Sequence, residues 1–268
     1  MQYIHESAVV SKSAKIAENV KIGPFCFVGD YVELEEGVEL ISHVVVDGKT
    51  KIGKNTKIYS FASIGQKPQD LKYKNEDSIL EIGQNNIIRE YCTMQPGTKS
   101  GIMKTKIGDN SLFMAGSHVA HDCILGDNLI FANLATLAGH VEVGDNVVIG
   151  GLSAVHQFVK IGKYAMIGGV TGVVRDVPPF STVSSERASI DGMNLIGLKR
   201  AGFDKNEIIK LQKAFNKIFF EKSDMEINSI LDFVQKEFSD SDLVNHLLHF
   251  IRSDSKRSLT VANKRKEK

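Results

Sequence analysis

Cysteine is scarce in this chain. Only Cys26, Cys92 and Cys123 occur in 268 residues, an odd number with no CxxC pair, which excludes a disulfide framework or a zinc ribbon and leaves packing as their role. Long apolar runs are missing too. No stretch approaches the ~18 residues of a membrane span, and the start, Met1-Gln2-Tyr3-Ile4-His5-Glu6, lacks the basic-then-apolar layout of a signal peptide, so the expectation is a cytoplasmic chain with no membrane span. Nor is there a charge excess: 33 Lys and Arg face 32 Asp and Glu, for a formal net charge of +1. That balance gives no reason to expect nucleic acid as a partner. With 42% hydrophobic and 24% charged residues, wholesale disorder is excluded as well. The length allows one large domain or two modest ones.

What is abundant is a period of six. Aliphatics stand at Ile4, Val10, Ile16, Ile22, Val28, Leu34, Leu40, Val46, Ile52, Ile58 and Ile64 without a miss. Ile, Leu and Val make up about a quarter of the chain, so eleven consecutive hits have chance odds of roughly one in several million. The period returns at Ile82, Ile88 and Met94, then one residue out of phase from Ile107 through Phe113, Val119, Leu125, Phe131, Leu137, Val143, Ile149, Val155, Ile161, Ile167 and Val173. Four residues after each aliphatic sits a mostly small side chain, the step that also holds all three cysteines. This pattern is that of a parallel β-helix whose narrow interior takes one aliphatic per short strand, three strands to a coil. It resembles the hexapeptide-repeat acyltransferases, a resemblance that implies a left-handed coil.

Gly-Asp-Asn recurs at Gly108, Gly126 and Gly144, and Gly162 continues the series, which sets the coil at eighteen residues. Glycine there is expected to supply the unusual backbone angles of a tight corner. The coil phase then locates two interruptions, extruded loops over 65–79 and 95–106, both leaving after the third strand of their coil. The third strands of the following coils begin at Val119, Leu137 and Val155, each with a histidine within three residues: His121, His140 and His156. His118 precedes the first. With coils ~4.8 Å apart, loops and histidines should line one edge over roughly 20 Å, forming a groove.

After Pro178-Pro179 the period ends and helical patterning takes over. The expected division is a solenoid over 1–185 and a small α-helical domain over 186–268. Asp204-Lys205-Asn206-Glu207 reads as a capping box for a helix burying Ile208, Leu211, Phe215, Ile218 and Phe219, and further helices are expected over 227–238 and 243–251. Residues 255–268 are polar and basic and are expected to be frayed.

A lone histidine on a strand edge is more often structural than catalytic, and His5, His43, His246 and His249 are read so. His121 differs because Asp122 follows it. A carboxylate at one ring nitrogen holds the tautomer that frees the other as a base, provided a turn at His121-Asp122 brings the side chains together. Zinc is the competing use of clustered histidines, but His121, His140 and His156 stand at different strand steps, which suits a line along a groove better than a tetrahedron. No metal and no cofactor is expected. Ser117 lies at the small packing step and reads as core rather than nucleophile.

Five segments narrow the resemblance: Gln69-Asp70-Leu71-Lys72-Tyr73, His118-Val119-Ala120-His121-Asp122-Cys123, Leu137-Ala138-Gly139-His140-Val141, Ala154-Val155-His156-Gln157-Phe158 and Gly197-Leu198-Lys199-Arg200. In this order, ahead of a helical C-terminal part, they resemble the UDP-N-acetylglucosamine acyltransferase family of lipid A biosynthesis across nearly the whole chain. The resemblance implies a homotrimer that moves a 3-hydroxyacyl chain from acyl carrier protein to the 3-position of a UDP-sugar. By position it implies His121 as general base, Asp122 as its orienting partner and Gly139 as oxyanion donor. It further implies substrate contacts at Asp70, Lys72, His118, His140, His156, Gln157, Asn194 and Arg200, with Gly169 setting acyl length.

Two departures stand out. Gln95-Pro96-Gly97-Thr98 replaces the family's usual His-Arg-Gly-Thr, and Ile196 and Ala201 replace a usual Glu and Arg. One reading of these is a 3-amino acceptor in place of the hydroxyl. Lys199, Arg200, Lys205, Lys210, Lys213, Lys217 and Lys222 outnumber the acids of the same stretch and could dock an acidic carrier. A coenzyme A-dependent sugar-nucleotide acetyltransferase and a non-catalytic solenoid scaffold are the alternatives.

Overall fold

The structure, a computed structural model, describes residues 2–262. The six-residue period becomes two-residue strands such as Lys21–Ile22, Phe27–Val28 and Glu33–Leu34, each followed by a corner. They stack into sheets of eleven, nine and eight strands, the three faces of a left-handed β-helix, with parallel pairing everywhere but at the last strand of the eleven. Register is eighteen residues per coil: Tyr3 pairs with Lys21 and Lys21 with Glu39. The aliphatics point inward. Ile22, Val28, Leu34, Leu40, Val46, Ile52, Ile58 and Ile64 are buried, as are Val20, Cys26, Val32, Val38 and Val44 at the second inward step. Each buried aliphatic contributes ~1.5–3 kcal/mol relative to exposure. In the first described coil Ile4 is 42% exposed.

All three cysteines are buried and unpaired. Burial pushes the Cys92 thiol to about 11 and the Cys123 thiol to about 12, so both remain protonated and unreactive at neutral pH.

The corners correct the expectation for glycine. In the Gly-Asp-Asn series the left-handed residue is the asparagine, with φ 57° at Asn110, 57° at Asn128 and 59° at Asn146. Gly108 is needed for a different reason. A Cβ there would stand 2.5 Å from the Gly126 carbonyl oxygen and 2.7 Å from its carbon, and would also meet Asp127 Oδ1. Successive coils approach too closely at this corner for any side chain, while asparagine tolerates the left-handed angles two residues on.

Lys57 pairs with Ile87, thirty positions along instead of eighteen, and Ile87 with Leu112, twenty-five along. The extra twelve and seven residues leave after Ser63–Ile64 and Thr93–Met94, neighbouring strands of the nine-stranded sheet. Strand structure resumes at Ile79 and at Lys104.

Beyond the last coil, Ser181–Ser184 and Ser189–Met193 form an antiparallel pair that the hexapeptide period does not announce. Four helices follow: α1 (Leu195–Arg200), α2 (Lys205–Phe219), α3 (Ile227–Glu237) and α4 (Asp242–Arg252). Asp204 caps α2 by accepting from the Asn206 and Glu207 N–H groups, but Glu207 does not reach back. Its carboxylate takes the Ser241 hydroxyl and the Lys210 ammonium instead. No described helix is long and apolar enough to cross a membrane.

The expected frayed tail is corrected over 255–262. Asp176 N donates to the Ser258 carbonyl at 2.9 Å, Thr260 N to the Asp176 carbonyl at 2.8 Å and Ile190 N to the Val261 carbonyl at 3.1 Å. The last coil has an open strand edge, and the returning segment satisfies its backbone groups despite its polar composition. The rest of the expected tail, 263–268, lies outside the described residues.

Close approach of the coils is testable against corner strain. Gly108→Ala and Gly108→Asn should both destabilise the fold by about 1–3 kcal/mol of overpacking and so lower the melting temperature, whereas Gly192→Ala, with nothing within 4 Å of the new Cβ, should not. A tolerated Gly108→Asn would show that backbone angle and not space selects glycine.

Candidate active site

The nine-stranded sheet sets His118–Val119, Thr136–Leu137 and Ala154–Val155 side by side, His118 pairing with Thr136 and Thr136 with Ala154. Three residues further, at the corner, His121, Gly139 and Gln157 therefore fall in one column, and Asp122, His140 and Phe158 in the next. Asp122, His140 and Phe158 all take left-handed angles, φ 60°, 62° and 65°. That turn is why adjacent residues His121 and Asp122, which on a straight strand would face apart, meet at 2.9 Å from Nδ1 to Oδ2.

Asp122 is buried and held from several sides. Its carboxylate accepts from the Thr98 N–H (3.1 Å), the Thr98 hydroxyl (2.6 Å), the Ile102 N–H (2.9 Å) and His121. Its own N–H donates to Thr105 Oγ1 at 2.8 Å. The second loop folds around the carboxylate, and at Gly97 and Gly101 a Cβ would run into it. Burial opposes charge on Asp122, but the hydrogen bonds from His121, Thr98 and Ile102 together outweigh it and hold the carboxyl below its ordinary range. An ionised carboxylate only accepts, so His121 Nδ1 carries a proton, and Nε2 is the nitrogen that bears the lone pair in the neutral ring.

The His121 ring lies on Gly139. A Cβ at 139 would be 2.5 Å from Cε1 and 2.7 Å from Nε2, so glycine is what lets the imidazole sit there. Among the described residues the Gly139 N–H has no hydrogen-bond acceptor. His140 meets His121 edge-on at 5.0 Å and stacks on Phe158 at 4.4 Å with 7° between planes. His118 Nδ1 is 2.6 Å from Thr93 Oγ1. Burial, then the nearby His121, lowers the pKa of His118, and burial lowers that of His140. Both rings are thereby kept neutral.

His121, Asp122 and His140 offer ligand atoms within 4.8 Å of one another. A metal would have to displace the donors that already fill the Asp122 carboxylate, so the arrangement favours a hydrogen-bonded pair over a metal site. Ser117, buried, donates to the Met114 carbonyl at 2.6 Å and has no nucleophilic setting.

The first loop comes to the same edge. Gln69 N donates to Gln95 Oε1 at 3.2 Å, tying the two loops together, and Asp70 Oδ1 accepts from Lys72 N at 2.9 Å. Buried Gln95, one of the two altered residues of this loop, thus has structural work in this chain. His156 and Gln157 end the row, but His156 bonds to Arg257 and not to the other histidines. Gly169 is exposed, with the Gly151 carbonyl oxygen 3.3 Å from where its Cβ would be.

Two residues fall elsewhere. Asn194 caps α1 by accepting from Gly197 N at 3.0 Å and donates to the Tyr164 carbonyl at 2.9 Å. Arg200 is exposed on the same helix, and among the described residues no hydrogen bond or ion pair joins either to the His121 corner. Lys210 is spent on Glu207 and Asp240, and Lys217 on Glu221, which thins the basic face of α2. Sequence reasoning missed Thr98, Ile102 and Thr105 as partners of Asp122. A glycine-flanked Thr in a loop assigned to this edge was the available signal.

Residues 104–139 match the bacterial transferase hexapeptide repeat, and residues 176–260 match the domain described as UDP N-acetylglucosamine O-acyltransferase, domain 2. The chain is 57% identical over 255 residues to the acyl-[acyl-carrier-protein]–UDP-N-acetylglucosamine O-acyltransferase of Rickettsia typhi, covering 95% of this chain and 96% of that one. A crystal structure of UDP-N-acetylglucosamine acyltransferase superposes with a TM-score of 0.92 at 43% identity, over 97% of this chain and 98% of the other. LpxA from Acinetobacter baumannii gives 0.89 at 43% identity, over 96% and 99%. The chain belongs to the UDP-N-acetylglucosamine O-acyltransferase family.

Proposed function

We propose that this protein transfers a 3-hydroxyacyl chain from acyl carrier protein to the 3-hydroxyl of UDP-N-acetylglucosamine, opening lipid A biosynthesis in the cytoplasm. The observation that carries the mechanism is the His121–Asp122 pair lying over Gly139. His121 Nε2 takes the proton of the acceptor hydroxyl as its oxygen attacks the thioester carbon. The tetrahedral oxyanion is met by the Gly139 N–H, a fixed donor needing no reorganisation. Collapse breaks the C–S bond, and the thiolate leaves with the proton that His121 returns. A thioester is already activated, so no acyl-enzyme is required.

Asp70, Lys72, His118, His140, His156 and Gln157 bind substrate along the groove, and the exposed position of Gly169 leaves room for the acyl chain. Asn194 and Arg200, away from the corner of their own chain, would act on a neighbouring copy. A homotrimer with sites between solenoids fits a second feature. Across the nine-stranded sheet from the histidines, the other corner carries an exposed ridge in which Phe25, His43, Phe61 and Tyr91 stack at 4.9, 5.0 and 5.2 Å. Leu134, Leu152 and Val170 continue it, 51%, 62% and 68% exposed. So long an apolar edge needs a partner.

His121→Ala should lower turnover by ~10²–10⁴-fold with melting temperature kept, and chelators should change nothing. Acyl carrier protein and coenzyme A thioesters are compared side by side; equal use of coenzyme A, or near-normal turnover without His121, would overturn the reading.

Thr98→Val removes the hydroxyl on Asp122. The carboxyl pKa should rise, so the acid limb of the kcat/KM profile should move to higher pH and turnover should fall about tenfold, the worth of one charge-assisted hydrogen bond. An unmoved acid limb would mean that Thr98 does not act through Asp122.

With one donor, UDP-N-acetylglucosamine should be acylated in preference to its 3-amino analogue. A preference for the amine would make the product an amide and change the acceptor assignment.

A further inference from the structure

The segment 254–262 brings two cations to the end of the histidine row. Arg257 Nε donates to the Gln157 carbonyl at 2.9 Å, and its Nη2 donates to His156 Nδ1 at 2.6 Å. Lys256 Nζ sits 4.2 Å from the centre of the Phe158 ring, whose other neighbour is His140. Both side chains therefore rest on residues that line the groove.

None of their partners is an acid. A backbone carbonyl, an imidazole nitrogen and an aromatic face hold Lys256 and Arg257 in place without neutralising them, and among the described residues neither has a carboxylate within ion-pair distance. Lysine and arginine on a protein surface commonly find an acid, as Lys15, Lys21, Lys49, Lys104 and Arg252 do here. Two fixed, adjacent, uncompensated cations with donors left over are a site for an anion. Arg257 keeps its Nη1 donors for it, and the guanidinium fork with a nearby ammonium matches the oxygens of a phosphate.

We propose that Lys256 and Arg257 form a phosphate clamp that completes the substrate groove from the C-terminal segment. The proposal rests on the acyl-transfer reading for its choice of ligand. Both substrates of that reaction carry phosphate, the acceptor in its nucleotide diphosphate and the donor in the phosphodiester of the carrier's prosthetic arm. In either case the clamp fixes a substrate at a point remote from the reacting atoms, so it acts on binding and not on the proton transfer at His121.

The test is the double variant Lys256→Met, Arg257→Met, which keeps side-chain length and removes both charges. The backbone bonds of Asp176 and Ile190 to the segment do not depend on either side chain, so the segment stays docked. KM is measured for acyl carrier protein and for UDP-N-acetylglucosamine, with UDP as inhibitor and with acyl phosphopantetheine and acyl pantetheine as truncated donors. A clamp on the acceptor raises its KM and the UDP inhibition constant by about tenfold or more, with kcat nearly unchanged and the donor unaffected. A clamp on the donor removes the preference for acyl phosphopantetheine over acyl pantetheine and leaves UDP inhibition as it was. Recovery in Lys256→Arg, Arg257→Lys would confirm charge as the cause. Unchanged affinities for every phosphate-bearing compound, or a loss as large for acyl pantetheine as for its phosphorylated form without weaker UDP inhibition, overturns the clamp. Absence of acyl transfer by the unaltered protein would instead overturn the function, and UDP affinity would still report on the clamp.

Discussion

Eighteen residues per coil in parallel register, kept on both sides of the two loop insertions, is the constraint on which everything else in this protein depends. Because each residue lies over the one eighteen positions away, a property needed once at a corner becomes a column. Small residues are forced where coils touch, as at Gly108, and asparagine where the backbone turns left-handed, as at Asn128. The site uses the same columns. His121 rests on Gly139, and Asp122, His140 and Phe158 share one left-handed step in three successive coils. Chemistry here is made by changing the residues of a structural column, not by adding a separate element.

The insertions do what the repeat alone cannot. A bare corner would leave a carboxylate in water, where it would hold a histidine loosely. The second loop wraps Asp122 with two N–H groups and a hydroxyl, and Gln95 fastens that loop to the first. The result is a buried charge whose every partner is fixed, which fixes His121 in turn. Groups held so tightly need no rearrangement when charge develops on the substrate.

Much of this could be read from the sequence, and the reason is locality. A period of six reports burial directly, so the coil length, the loop exits and the shared edge of His118, His121, His140 and His156 followed from counting. The helix cap at Asp204 was equally local. What escaped depends on contacts between distant segments. Gly108 was assigned to backbone angle because spacing does not show how near the next coil lies. Thr98 and Ile102 reach Asp122 across twenty-four and twenty positions. The segment after α4 was expected to fray on its composition, yet it docks because the last coil leaves Asp176 and Ile190 with open backbone groups. Asn194 shows what a resemblance does not carry: in its own chain its amide also caps a helix.

The central claim is that Asp122 fixes the His121 tautomer and leaves Nε2 free as the base. Nitrogen-15 NMR of the His121 imidazole at neutral pH measures this directly, with Asp122→Asn as the comparison. The account predicts that the neutral form of the ring in the unaltered protein is the Nδ1-protonated tautomer alone, and that this preference is lost in the variant. A ring protonated at Nε2, or a tautomer indifferent to Asp122→Asn, would contradict it.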